Sequence, residues 1–118
     1  MVVIREEQMG KFSEASYKNF ENRMLSHLSK YFPEHYKALG EEKSRELIKY
    51  GIKRAAVYEI VAERDVCKYI DLMISFGVEF DTDPQLPWAS QILNDKSWKN
   101  PSAKSETLFN TGIKHLRG

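Results

Sequence analysis

The residues able to do chemistry are few. Histidines stand at 27, 35 and 115, and the chain carries one cysteine, Cys67. A histidine serves as base or metal ligand only when a partner is held beside it. None of the three sits in HExxH or at any other metal-ligand spacing, and none has a cysteine partner nearby in the chain. Cys67 falls inside a helical pattern, which predicts a buried apolar thiol and excludes an intrachain disulfide or a multi-cysteine zinc site. His27 flanks an apolar stripe, where a packed or hydrogen-bonded ring is expected. No GxSxG elbow frames a serine, and no GxxxxGK[ST] loop is present to cradle phosphate. Asp81 and Asp83, two apart, imitate the start of a calcium loop, but the further oxygen ligands and turn glycine of an EF-hand are missing. Neighbouring loop carboxylates without a pocket also make a poor acid–base pair. The expectation is a non-enzymatic chain with no catalytic residue, metal or cofactor.

Those two aspartates belong to "FGVEFDTDPQLPWASQIL", residues 76–93, which reads as helix, corner and helix. Asp83 can accept backbone N–H groups while Pro84 fixes its own φ, a combination that makes a turn. Pro87 suits the first position of the next helix, with Trp88, Ile92 and Leu93 on its buried face. Phe76, Phe80 and Leu86 would pin the corner to the core.

The elements around it are helical. Over residues 5–31, Met9, Phe12, Ser16, Phe20, Met24, Leu28 and Tyr31 recur at steps of three and four, an apolar stripe with Lys18, Glu21 and Arg23 off it. Pro33 ends that helix at Phe32. One or two turns run to Gly40, a C-terminal breaker, and a helix over 41–58 buries Leu47, Ile48, Ile52, Ala55 and Ala56. Gly51 inside it costs about 1 kcal/mol relative to alanine, for which a close helix crossing would compensate. Residues 62–76 repeat the pattern with Val66, Tyr69, Ile70, Met73 and Phe76, and Gly77 stops it. A shorter helix is expected over 87–94. "DKSWKNPSAKSE" reads as loop before a weaker terminal helix in "SETLFNTGIKHLRG". The prediction is an all-α, single compact domain of five to six helices spanning 1–118, with a lead at 1–4 and a loop and terminal helix in 95–118.

Composition bounds the rest. At 118 residues, 42% hydrophobic and 30% charged, the chain is one folded domain, and its formal net charge of +1 gives no general affinity for nucleic acid or anionic membrane. No segment approaches the ~20 apolar residues that cross a bilayer, and "MVVIREEQ" lacks a signal-peptide core, so a cytoplasmic chain is expected. Between Lys68 and Lys96 there is no basic residue, while Asp71, Glu79, Asp81, Asp83 and Asp95 are acidic. Lys96, Lys99, Lys104, Lys114 and Arg117 make the tail basic. Such asymmetry either neutralises itself or steers a charged protein partner.

The stretch "ERDVCKYIDLMISFGVEFDTDPQLPWASQIL" resembles a segment of small bacterial proteins encoded beside spike and effector genes of type VI secretion systems. Glu63, Arg64, Asp65 and Val66 open the match, followed by Tyr69, Leu72, Met73 and Gly77. Phe80, Asp81, Asp83, Pro84, Leu86, Pro87, Trp88, Ala89, Ile92 and Leu93 complete it. The earlier "HLSKYFPEHYKALGEEKSRELIKYGIKRA" is similar in its histidine, FPE turn and GI-containing helix, so the likeness covers residues 27–93. It implies an adaptor or chaperone that binds an effector or spike protein, as a monomer or a homo-oligomer. Tyr58, Tyr69, Phe80, Asp81, Asp83 and Trp88 are the candidate protein-binding residues. An immunity protein that neutralises a toxin, and less readily a small toxin or hydrolase, are the alternatives.

Overall fold

The computed structural model describes residues 14–117, which form five helices and, among those residues, no strand. They are α1 (Glu14–Tyr31), α2 (Pro33–Val57), α3 (Glu63–Phe76), α4 (Pro87–Asn94) and α5 (Pro101–Arg117). The expected lead at 1–4 and helical positions 5–13, including Met9 and Phe12, lie outside the described residues.

Each helix buries the stripe its spacing dictates. Phe20, Met24, Leu25 and Leu28 of α1 face inward, as do Ile48, Ile52, Ala55 and Ala56 of α2. On α3, Val66, Tyr69, Ile70 and Met73 form one buried row and Leu72 turns to a second side. That makes α3 the centre: α1 packs on α2, α2 on α3, α3 on α5 and α5 on α4, in one compact all-α domain. Full burial of an aliphatic such as Leu28 or Ile48 contributes about 1.5–3 kcal/mol, so these rows hold the bundle together.

Proline and glycine set the joints. Pro33 and Pro87 sit at the first turns of α2 and α4, where a missing N–H costs nothing. Gly77 ends α3 at φ 116°, and its N–H donates to Met73 O at 2.8 Å. Gly40 has φ 81° and ψ 170°, which kinks α2 between the turns of "PEHYKAL" and the longer run after it. Glu21, placed off the stripe by its periodicity, is instead buried because Arg45 of α2 donates to its carboxylate at 2.5 Å.

Gly51 marks the crossing of α2 over α3. A Cβ there would lie 2.6 Å from Ile70 Cγ1 and 3.0 Å from Met73 Sδ. Gly51→Ala therefore sets an overpacking cost of about 1–3 kcal/mol against about 1 kcal/mol of helix propensity. We expect a net loss of about 1 kcal/mol in urea unfolding; a stabilised variant would refute the tight crossing.

Candidate functional site

The connector between α3 and α4 drops two side chains into the bundle. Successive turns, with Phe80 N–H donating to Gly77 O at 3.1 Å and Leu86 N–H to Asp83 O at 2.9 Å, fold residues 77–86 back on themselves. Asp83 makes the expected turn, its Oδ1 accepting Gln85 N–H at 2.9 Å. Phe80 consequently packs on Tyr69, ring centroids 5.0 Å apart, and Asp81 is fully buried.

Asp81 is held by α2. The Tyr58 hydroxyl donates to Asp81 Oδ2 at 2.6 Å, and the Arg54 guanidinium donates to the same oxygen. Arg54 Nη2 also reaches the Tyr58 oxygen at 3.3 Å. Burial first, and the bond to Asp81 second, push the Tyr58 hydroxyl up. Burial and then the Asp81 charge do the same to Tyr69. Both phenols therefore stay protonated near neutral pH, and Tyr58 acts as a fixed donor to a carboxylate closed off from solvent.

Trp88 lies apart from this cluster. It is half-buried on α4, stacked on His115 at 5.0 Å and 12° and meeting Phe76 edge-on at 5.2 Å. Gly112 of α5 marks the close approach of α5 to α3, since a Cβ there would stand 2.6 Å from Leu72 Cδ2 and 3.3 Å from the Phe76 ring that Trp88 meets.

An open cleft of about 280 Å³ lies where the ends of α2 and α4 meet the start of α5. Lys104 is its buried floor, donating from Nζ to Tyr58 O at 2.9 Å and Leu93 O at 3.3 Å. Burial holds the Lys104 ammonium below its usual range, with the Glu59 charge opposing. Val57, 62% exposed, and half-buried Trp98 give the cleft apolar surface, and Glu59, Asp95, Lys96 and Lys99 surround them with charge. Trp98 is fixed by its Nε1–H, which donates to Ile92 O at 2.9 Å. Asp95 accepts the backbone N–H of Ser97 at 2.9 Å and its hydroxyl at 2.7 Å, which lowers the Asp95 carboxyl from its ordinary value.

A third group joins α1 to α3. His27 Nε2 lies 2.8 Å from Asp71 Oδ1 and 3.8 Å from Cys67 Sγ. Burial, more than the Asp71 charge beside it, pushes the Cys67 thiol up to about 12. Burial also raises the Asp71 carboxyl, against the opposing influence of His27.

The six residues chosen from sequence thus divide. Tyr58, Tyr69, Phe80 and Asp81 come together inside the fold, where they hold the connector, and of the four Tyr58 also lines the cleft. Asp83 is spent on its turn, and only Trp88 of the aromatics keeps a partly exposed face. Three acids of the expected acidic corner are engaged from within, and of their partners Arg54 alone carries a fixed charge. Asp81 meets Arg54, Asp71 meets His27, and Glu79 accepts the Tyr50 hydroxyl at 2.6 Å. The expectation that His27 lacks a nearby cysteine is corrected, because α3 supplies Cys67 from 40 positions away. The spacing of Cys67 and Asp71, four apart on one helix face, was the available signal. No family model, curated protein or solved structure matches the chain.

Proposed function

We propose that this chain is a non-enzymatic accessory protein of type VI secretion, an adaptor or chaperone that binds an effector or spike protein in the cytoplasm. Its support is the resemblance across residues 27–93 together with one surface. The observation that carries the binding role is the cleft at Val57, an exposed aliphatic beside Trp98 inside a ring of both charge signs. An exposed aliphatic and a tryptophan set within a largely polar cleft give a partner two anchor points, and the charges around them give specificity. A volume of about 280 Å³ admits a side chain or two from a partner segment. Trp98 takes the anchoring role first given to the buried aromatics.

The test is recovery of partners from a bacterial host by the tagged full chain, comparing wild type with Val57→Asp/Lys99→Glu after circular dichroism shows both folded. Wild type should recover a secretion effector or spike protein, and the variant at least about tenfold less, the loss expected of a truncated hot spot. Deleting the protein should stop delivery of that effector. If delivery persists and the deleted cells are instead killed by it, the adaptor role fails in favour of an immunity protein.

A further inference from the structure

We infer that His27, Cys67 and Asp71 form a three-ligand site for a divalent transition-metal ion, with zinc the best fit, that clasps α1 to α3. The proposal goes beyond the accessory role and stands independently of it.

The three donor atoms, His27 nitrogen, Cys67 Sγ and Asp71 carboxylate oxygen, all lie within 4.8 Å of one another. Cys67 and Asp71 are four apart on α3 and so share a face, and His27 approaches that face from α1. Tetrahedral zinc, with bonds of about 2.0–2.3 Å, separates N from O by about 3.3 Å and N from S by about 3.6 Å. The chain holds these pairs at 2.8 and 3.8 Å. The sulfur and carboxylate oxygen, within 4.8 Å of each other, must close to about 3.6 Å around such an ion, the larger adjustment, which falls to the Cys67 and Asp71 side-chain torsions.

A nitrogen, sulfur and carboxylate set matches zinc or cobalt and suits calcium or magnesium poorly. Thiolate, carboxylate and neutral imidazole together carry −2, which one divalent ion cancels. Binding sends the Cys67 thiol proton to solvent, and the imidazole stays neutral with its proton on Nδ1 while Nε2 takes the ion.

The surroundings suit a held ion. The Tyr31 ring lies 4.9 Å from the His27 ring and Phe32 lies 6.4 Å away, walls that fix the imidazole. His27 and Asp71 keep 25% and 16% of their side-chain surface exposed, an entry path and a fourth coordination position for water. The location also has a structural consequence. α1 rests chiefly on α2, and the polar links it makes to α3 include His27–Asp71 and the Arg23–Glu63 pair at 2.8 Å, which is largely solvated. A metal at His27 would bind that side far more firmly than an exposed ion pair.

The experiment is titration of the untagged full chain, reduced and stripped with chelator, with cobalt(II) as the optical probe. Binding should saturate at one ion per chain, with a thiolate-to-cobalt charge-transfer absorption and the intense visible bands of a tetrahedral ion. Zinc should displace the cobalt and raise the unfolding midpoint. Cys67→Ser should abolish the charge-transfer absorption, and His27→Gln should weaken binding at least about tenfold, both in variants whose circular dichroism is unchanged. Absence of the charge-transfer absorption in wild type, or stoichiometric binding of equal strength in both variants, would overturn the site.

Discussion

Arg54→Ala should remove about 3 kcal/mol of folding stability, the low end of the cost of breaking a buried ion pair. Its partner Asp81 has no exposed surface, so the carboxylate left behind can meet water only through the space the partly exposed arginine vacates. Tyr58 keeps its hydrogen bond to Asp81 Oδ2, which is why the loss stays at the low end. Domains of this size carry about 5–15 kcal/mol in all, so the variant should unfold at markedly lower urea. The penalty lies in the stranded charge and not in lost packing. Replacing both partners together, Arg54→Met with Asp81→Leu, should recover most of the stability. A cost below about 1 kcal/mol for Arg54→Ala would show the pair to be no stronger than a solvated one.

Lys104→Met should cost about 2–4 kcal/mol, because two helix ends lose one shared cap. The ammonium donates to Tyr58 O beyond α2 and to Leu93 O in α4. Each carbonyl left unsatisfied costs about 1–3 kcal/mol, partly offset by no longer burying a charge. Methionine keeps the length of the stem, so packing changes little. The loss should appear both in urea unfolding and in hydrogen exchange at the ends of α2 and α4, and partner recovery through the Val57 cleft should fall with it. An undisturbed exchange pattern would place the work of Lys104 elsewhere.

Both predictions concern residues whose partners the sequence did not disclose. Periodicity located α3 and α4 almost to the residue because Gly77, Pro87 and the apolar spacing act locally. The start of α5 was missed: "DKSWKNPSAKSE" looks like loop, yet the helix begins at Pro101. Its signal was present, since Asn100 Oδ1 accepts the N–H of Ala103 at 2.7 Å, an ordinary asparagine cap before proline. The site was less legible. Arg54 and Asp81 are 27 positions apart, and His27 and Asp71 are 44 apart. Such pairs form only when helices are stacked in a particular register, which composition does not encode. Asp81 looked like surface charge for the same reason, and Lys104 like part of a basic tail. The aromatics of residues 63–93 are informative about fold: Tyr69 and Phe80 are what the corner folds around.

The packing order has a kinetic consequence. Each helix rests on one adjacent to it in the chain or one removed, α1 on α2, α2 on α3, α3 on α5 and α5 on α4. Few distant segments must find each other, so little loop-closure entropy stands before the first productive contacts. The α1–α2 pair can begin to assemble while α5 is still being synthesised, which shortens the time its apolar stripes are exposed. Such a topology favours rapid folding in the order of translation.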